Sequence, residues 1–452
     1  MSESQSHQKM NVFQLTVITL VNMMGSGIIL LPSKLAEIGT ITIFSWLFTA
    51  GGSLALAYVF ARCGMLSKKP GGMGGYAEYA FGKGGNYMAN YTYGLSLVIG
   101  NVAIGVTAVG YATVLFGATL SPMQTCFWTI VLLWITTFAN FGGASITGKI
   151  GSVTVWGVIL PVVLICLIGW FWFSPSTWSA AWNPHEMGFW SAVGSSISVT
   201  LWAFLGLESA CANADAVENP EKNVPIAVLV ATIGAAAVYI ISTNVIAGMI
   251  PNAELAKSSA PFGLAYEHMF SPIVGQTVTA LMVIACIGSL LGWQFTVAQV
   301  FKSSADVGYF VSVFSKVTKI GTPITGMLIL LAVQTGLALM TASPELSETF
   351  GKVVNLAVVT NLVPYVMSMA AIVTIQNVAG IPKVKARMTN VIALIATIYS
   401  FYALYSSGTE AIVLGGICIF LGWTLFGFFA ANRFYRMEQE AHIPNPGKSF
   451  QT

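Results

Sequence analysis

Long apolar runs dominate this sequence and constrain its fold more than any other feature. Each of twelve runs can cross a bilayer, which takes about 17 to 25 residues of helix. Of the 452 residues 56% are hydrophobic and only 8% are charged, whereas soluble proteins average about 25% charged residues. Lipid must therefore cover most of the surface. The sequence predicts an all-α integral membrane protein with twelve transmembrane helices at 12–36, 41–65, 85–117, 123–142, 152–174, 190–212, 225–249, 272–301, 323–342, 350–373, 388–406 and 410–432.

The positions of Lys and Arg indicate how the chain is oriented, because these residues collect on the cytoplasmic side of a membrane. With the N-terminus inside, only Lys34, Lys257 and Lys352 of the 19 basic residues fall on the outer side. So uneven a split predicts that both tails, 1–11 and 433–452, are cytoplasmic.

Several function classes lack support in the sequence. No GxxxxGK[ST] phosphate loop is present, so the chain is expected to run on gradients or exchange rather than on a nucleotide. The six cysteines form no CxxC pair, and no Cys/His cluster has metal-ligand spacing. We therefore expect no cofactor, no metal and no nucleic-acid partner. The spans hold no nucleophile–base pair, which argues against an enzyme.

Glycines interrupt the first and the sixth span at corresponding places. The first reads VNMMGSGIILLPSK around Gly25, and the sixth reads SVTLWAFLGLESACANAD around Gly206. Glycine inside a helix costs roughly 1 kcal/mol relative to alanine. Paired interruptions in inverted halves are typical of a transporter's midplane site, although close helix packing also favours glycine. The sequence predicts inverted five-helix units at 12–174 and 190–373, followed by two further helices at 388–432, with helices 1 and 6 discontinuous.

Glu208 is the one acidic residue of sixteen that lies deep within a predicted span. A carboxylate at the bilayer centre costs several kcal/mol unless something compensates it, so we expect a bound cation. The alternative is a protonated carboxyl bonded to a neighbouring helix. Trp202 is close in sequence and Trp293 lies in the eighth span; their rings can attract ammonium groups. Backbone N–H groups freed at the first interruption can hold a carboxylate.

The glycine-rich segment PGGMGGYAEYAFGKGGNY, residues 70–87, precedes the third span. It matches neither a dinucleotide fingerprint nor a phosphate loop. We interpret it as a tight amphipathic loop helix with Glu78 as its notable charge, and either a gating or a purely structural role fits it.

Longer stretches of the sequence resemble a known transporter family. The motifs GSGII, WAFLGLESA and ENPEKNVPIA are marks of the amino acid–polyamine–organocation superfamily. The stretches VNMMGSGIILLPSKLAEIGT, KPGGMGGYAEYAFGKGGNYMANYTYG and SLLGWQFTVAQVFKSS are similar to its bacterial putrescine–ornithine antiporters. The similarity extends from about residue 8 to residue 435.

The resemblance implies a five-plus-five inverted repeat with two additional C-terminal helices. It implies exchange of intracellular putrescine for extracellular ornithine across the bacterial inner membrane, beside an ornithine decarboxylase. Uptake of putrescine with a proton is a further property of the family, and homodimers are common in it.

Seven residues match substrate-binding positions of the family. Ser26 and Gly27 are implied to meet the ornithine carboxylate, Glu208 to pair with an ammonium group, and Trp202 and Trp293 to act as aromatic gates. The full set is Met23, Ser26, Gly27, Asn101, Trp202, Glu208 and Trp293.

Eight further residues match gate positions or positions behind the binding site. Of these, Tyr93 and Tyr365 can hydrogen-bond Glu208. Phe426 replaces an expected tyrosine, so a role that needs the phenol hydroxyl is lost there while ring stacking remains. The full set is Tyr93, Tyr365, Cys63, Glu78, Cys211, Cys286, Trp423 and Phe426.

Two other functions compete with this interpretation. A lysine–cadaverine or arginine–agmatine exchanger of the same superfamily needs the same carboxylate and tryptophans. A non-transporting amine receptor is the alternative from a different class, although paired broken helices argue against a static binding protein.

Overall fold

The computed structural model describes residues 11–25, 27–69, 71–208, 217–341 and 346–431, and in these parts of the chain every extended regular element is a helix. The first nine helices are α1 Val12–Met24, α2 Leu31–Ala36, α3 Ile43–Leu66, α4 Met73–Leu115, α5 Pro122–Ala139, α6 Ala144–Thr154, α7 Trp156–Ile168, α8 Pro175–Ala180 and α9 Phe189–Trp202. The others are α10 Pro220–Met249, α11 Asn252–Leu255, α12 Pro261–Met269, α13 Pro272–Asp306, α14 Ile324–Thr341, α15 Leu346–Val378, α16 Lys383–Ser406 and α17 Gly408–Leu425, which continues as a π-helix at Phe426–Ala431.

Nine helical stretches within the described residues are long and apolar enough to cross a membrane. They fall in nine of the twelve predicted spans, and the first, sixth and ninth spans contain the shorter helices α1, α9 and α14. The chain is thus a multi-pass, all-helical membrane protein. The count of twelve crossings, the inverted repeat and the domain boundaries remain predictions.

The helix ends follow local capping chemistry. At the start of α1 the Asn11 side chain accepts from the Gln14 N–H, while the Gln14 side chain accepts from the Asn11 N–H. Ser121 and Gln124 repeat this capping box at α5, with Pro122 in its first turn. Such caps satisfy backbone donors that the first turn leaves free.

The long helices α4 and α15 form the centre of the molecule. They pack most extensively against each other, and α13 also lies along α4. Most of α4 and α15 is buried, whereas only about a tenth of α17 is, as expected for a helix whose outer side faces lipid. Several side chains that line the cavity described below come from α4.

Gly82 divides α4 into two segments. Its φ of 64° and ψ of −162° are not helical, and glycine adopts a positive φ without the strain that a side chain would add. The 43 residues of α4 would extend about 65 Å at 1.5 Å per residue, far more than a bilayer core. The kink falls within the glycine-rich segment 70–87, so the loop-helix prediction fits only the part of that segment before Gly82, and the rest continues into the third span.

The first span is interrupted where its glycines predict. Helix α1 ends at Met24, and helix α2 begins only at Leu31. The sixth span is also interrupted: α9 ends at Trp202, and residues 203–208 continue as turns. Gly206 there has a φ of +109°, a backbone conformation that L side chains rarely adopt.

Two buried tyrosines hydrogen-bond carbonyl groups at these interruptions. The Tyr111 hydroxyl donates to the Ile29 carbonyl at 2.8 Å, and the Tyr239 hydroxyl donates to the Ala203 carbonyl at 2.9 Å. Both tyrosines are fully buried. Backbone groups outside a helix need such partners at membrane depth, where water is scarce.

Candidate functional site

The two interruptions lie directly against each other. A Cβ atom added to Gly27 would lie 3.3 Å from the Cα atom of Ala203. A Cβ atom added to Gly206 would lie 3.1 Å from the carbonyl oxygen of Asn22. Glycine at both positions allows the two backbones to approach this closely, so both broken segments contribute to one site.

A small cavity of about 50 Å³ lies beside this contact. Seven residues predicted from the sequence line it: Met23, Gly27, Tyr93, Asn101, Trp202, Glu208 and Trp293. They come from α1, α4, α9, α13 and the two interruptions. The structure thus brings together residues that are up to 270 positions apart in the sequence, counted from Met23 to Trp293.

A vestibule of about 1180 Å³ adjoins the small cavity. Four residues line both spaces: Asn22, Tyr93, Glu208 and Trp293. Glu208 therefore lies where the wide vestibule narrows into the small cavity. At its other end the vestibule reaches Lys69 and Glu78, on the side that the distribution of basic residues predicts to be cytoplasmic.

Glu208 is held by uncharged donors. Its side chain is 6% exposed. The Tyr365 hydroxyl donates to Glu208 Oε2 at 2.6 Å, and the Gly206 N–H donates to the same oxygen at 3.1 Å. Tyr93 lines the same cavity as the carboxyl group. The Tyr365 and Gly206 donors fix the orientation of the carboxylate.

Within the described residues, no basic side chain forms an ion pair with this carboxylate. The ion pairs found in the described ranges all lie elsewhere, and none includes Glu208. Because a buried carboxylate without a counter-ion is unfavourable, the arrangement suits a cation that arrives from the vestibule.

Two tryptophans, Trp202 and Trp293, line the cavity. Trp202 is 9% exposed, and a Cβ atom on Gly100 would lie 2.9 Å from its ring atom Cη2. Trp293 is half-buried and faces both the cavity and the vestibule. Indole faces beside a carboxylate suit an ammonium group with an alkyl chain.

Asn101 belongs to a short chain of buried amides. Its Nδ2 donates to Gln294 Oε1 at 3.2 Å. Gln294 in turn exchanges two hydrogen bonds with Gln334, at 2.7 Å and 3.0 Å. Two further polar residues that line the cavity bond each other: Ser96 Oγ donates to Asn361 Oδ1 at 3.2 Å.

Glu78 lies in the vestibule, away from the small cavity. Lys69 Nζ is 2.7 Å from its Oε1, while Asn86 Nδ2 and the Tyr309 hydroxyl donate to its Oε2 at 2.8 Å and 3.2 Å. These bonds join the connection between α3 and α4 to the segment that follows α13.

The other predicted positions lie outside the small cavity. Cys63 and Cys286 are fully buried in the core, the first with its Sγ 3.8 Å from the Ser368 carbonyl oxygen. Trp423 and Phe426 form an edge-to-face pair at 5.9 Å. Phe426 also packs on Tyr87 at 5.1 Å, so ring contacts exist at this position without a phenol hydroxyl.

Two of the predicted positions fall outside the described residues. These are Ser26, in the first interruption, and Cys211, which follows the second.

The cavity contains residues that the sequence analysis missed. Asn22, Ser96, Gly100 and Asn361 all line it. Asn22 directly precedes a predicted residue, and Asn361 lies one helical turn before Tyr365, which places both on the same face of α15. Helical spacing around Tyr93 and Tyr365 was the signal that could have found Ser96 and Asn361.

Comparisons with known proteins agree with a transport function. The family model for amino acid permeases matches residues 10–429. Over 427 residues the chain is 66% identical to the "Putrescine transporter PotE" of Escherichia coli (strain K12), covering 94% of this chain and 97% of that protein. It is 61% identical to the "Putrescine transporter PotE" of Haemophilus influenzae over 425 residues, covering 94% and 98%. The "Cadaverine/lysine antiporter" of Escherichia coli (strain K12) is more distant, at 32% identity over 422 residues, covering 92% and 93%.

The family match extends over nearly the whole chain, and all these relatives are named as transporters. The cavity lies between two interrupted helices of a multi-pass, all-helical protein. The chain belongs to the amino acid permease family of membrane transport proteins and is a transporter, not an enzyme.

Proposed function

We propose that this transporter exchanges intracellular putrescine for extracellular ornithine across the bacterial inner membrane. The observation that carries the proposal is the buried Glu208, which has hydrogen-bond donors but no ion-pair partner among the described residues. Relatives named as putrescine transporters, at 66% and 61% identity, support putrescine as a substrate more than the cadaverine/lysine antiporter at 32% supports cadaverine.

In the proposed complex Glu208 pairs with an ammonium group of either substrate. Trp202 and Trp293 enclose the alkyl chain, which both substrates share. The ornithine carboxylate lies against the first interruption, at Ser26 and Gly27 with Met23 beside them, because the start of a helix segment favours an anion. Asn101 contacts the polar end of the substrate.

The proposed transport cycle follows alternating access. Under the predicted topology the vestibule opens to the cytoplasm, so the structure represents an inward-facing conformation. Glu78 and its partners then belong to the inner gate, which rearranges when the outer side opens. Interrupted helices are suited to this motion, because residues at element ends absorb changes in backbone angles.

The charges of the substrates determine the energetics of the exchange. Putrescine carries two positive charges and ornithine a net charge of one, so each cycle moves one positive charge outward. That charge is worth about 2.3 kcal/mol per 100 mV of membrane potential. An ornithine decarboxylase would sustain both gradients by consuming ornithine and producing putrescine inside the cell. The proposal includes putrescine uptake with a proton and a homodimeric assembly.

Exchange in proteoliposomes tests this proposal. Vesicles are preloaded with ornithine, lysine, arginine or buffer, and the entry of labelled putrescine is measured. We expect ornithine to stimulate entry well above the buffer control, and lysine and arginine to do so far less. Equal stimulation by lysine would reduce the claim to a general exchanger of cationic amino acids. Putrescine binding without flux under any preload would indicate a receptor.

The packing of Trp202 predicts the effect of a single methyl group. We expect Gly100→Ala to lower putrescine exchange about tenfold, because its Cβ would lie 2.9 Å from the Trp202 ring and overpacking typically costs about 1–3 kcal/mol. Gly51→Ala is the matched control, since no atom lies within 4 Å of its added Cβ. Initial rates per molecule of reconstituted protein measure both. A normal rate in Gly100→Ala would show that the position of the Trp202 ring is unimportant.

A further inference from the structure

Three buried amides from three helices form one hydrogen-bonded chain behind the cavity. Asn101 is on α4, Gln294 on α13 and Gln334 on α14, and their side chains are 1%, 5% and 0% exposed. Asn101 Nδ2 donates to Gln294 Oε1, Gln294 Nε2 donates to Gln334 Oε1, and Gln334 Nε2 donates back to Gln294 Oε1. Only Asn101 lines the cavity.

The hydrogen bonds along this chain of amides can run in either of two directions. We call these two arrangements its polarities. If all three side-chain amides flip, the oxygen and the nitrogen of each amide exchange places. Each of the three hydrogen bonds then re-forms in the opposite direction. Gln294 then donates to Asn101 Oδ1 with one hydrogen of its NH₂ group and to Gln334 with the other, which an amide with two donors allows. No hydrogen bond is lost in either arrangement.

Nothing else in the described part of the chain fixes the polarity. The three bonds above are the side-chain hydrogen bonds found there for these amides. The two polarities therefore have similar energies within the protein. A ligand in the cavity can select one of them, since an unsatisfied buried polar group costs about 1–3 kcal/mol.

We propose that Asn101, Gln294 and Gln334 form a reversible amide relay, which turns over to match the two substrates of the exchanger. With one polarity Asn101 presents its carbonyl oxygen to the cavity and accepts from an ammonium group. With the other it presents its NH₂ group and donates to a carboxylate. Gln294 and Gln334 are positioning residues, because they act through Asn101. The inference rests on the proposed function.

The two proposed substrates differ in their hydrogen-bonding groups, and the relay would match Asn101 to each of them. Putrescine offers only hydrogen-bond donors, while ornithine also offers a carboxylate, which is an acceptor. An amide with a fixed orientation in the shared cavity would present the wrong hydrogen-bonding group to one of the two substrates. A static ladder that only holds α4, α13 and α14 together is the simpler alternative, and its disruption would weaken both substrates alike.

Locking the relay separates these two explanations. Gln294→Glu introduces a carboxylate that only accepts, so Asn101 must donate to it and keep its oxygen in the cavity. We expect the dissociation constant for ornithine to rise at least about tenfold while that for putrescine changes less than about threefold. Equilibrium binding of each labelled substrate to the full-length protein in nanodiscs measures both constants.

A charge-matched variant controls for the added negative field. Gln299→Glu lies on the same helix and lines the vestibule, outside the relay, and we expect a much smaller change in the ratio of the two constants. An equal change in the ratio for both variants, or equal weakening of both substrates by Gln294→Glu, would overturn the relay. If Gln294→Glu does not fold, Asn101→Asp presents an acceptor directly and should lower ornithine affinity selectively.

The wild-type protein distinguishes failure of the relay from failure of the function. If it binds neither substrate, the proposed function and the relay both fail. If it binds both and the variants leave their ratio unchanged, the relay alone fails.

Discussion

Glu208→Gln is expected to reduce putrescine binding and exchange by about 100-fold or more. The substitution keeps the size of the side chain and removes the charge that faces the cavity. Breaking a buried ion pair by removing one partner costs about 3–5 kcal/mol, and each 1.4 kcal/mol corresponds to about tenfold in affinity. Equilibrium binding of labelled putrescine to the purified protein is the direct measurement.

A matched acid-to-amide change controls for nonspecific effects. Glu254→Gln removes a carboxylate that is about half exposed and pairs with His268 at 3.3 Å, and neither residue lines the cavity or the vestibule. We expect it to leave putrescine binding within about twofold, since exposed pairs contribute only about 0–1 kcal/mol. A Glu208→Gln protein that binds putrescine with nearly normal affinity would refute the role of the carboxylate as the cation partner.

The second large effect is expected at Gly206, where the backbone itself forms the site. Gly206→Ala should abolish exchange and lower the melting temperature of the purified protein. An alanine at a φ of +109° is strained by about 1–3 kcal/mol, and its Cβ would lie 3.1 Å from the Asn22 carbonyl oxygen. We expect this contact to be relieved by movement of the interruption in the sixth span away from the interruption in the first span. The same movement would displace the Gly206 N–H from Glu208.

Gly408→Ala separates backbone strain from the loss of the site. Gly408 also has a positive φ, of +81°, but no atom lies within 4 Å of its added Cβ. We expect a comparable loss of thermal stability with a normal exchange rate per folded molecule. If Gly206→Ala behaves in the same way, the close approach of the two interruptions is not needed for transport.

Features that depend on local chemistry could be predicted from the sequence. The interruptions follow from Gly25 and Gly206, because glycine disfavours helix interiors wherever it occurs. Glu208 could be identified as a candidate cation partner because it is the one carboxylate deep within an apolar run. The apolar runs likewise predicted an all-helical membrane protein, and nine long helices in the described residues match nine of those runs.

Features that depend on contacts between distant helices could not be predicted in this way. Asn101 and Gln294 are 193 residues apart, and Gln294 and Gln334 are 40 apart. Polar residues of this kind look the same in a sequence whether they face lipid, a cavity or each other. The kink at Gly82 was also missed, since a run of five glycines among residues 74–85 marks no single position.

The resemblance to a family suggested candidate residues, but it did not indicate how near each one lies to the cavity. Phe426 and Glu78 were grouped with gate positions, and the structure places them in quite different surroundings. Phe426 lies in an aromatic cluster with Tyr87, while Glu78 is tied to Lys69 in the vestibule. Transport measurements on variants of these two residues should therefore be interpreted separately.

The most direct test of the proposed function is a double-label flux measurement in one population of vesicles. Proteoliposomes loaded with one isotope of ornithine are placed in putrescine that carries another, and both labels are followed over time. We predict that one ornithine leaves for each putrescine that enters, and that a membrane potential changes both rates together because each exchange moves one charge. Putrescine entry at an undiminished rate while ornithine stays inside would contradict the proposed exchange.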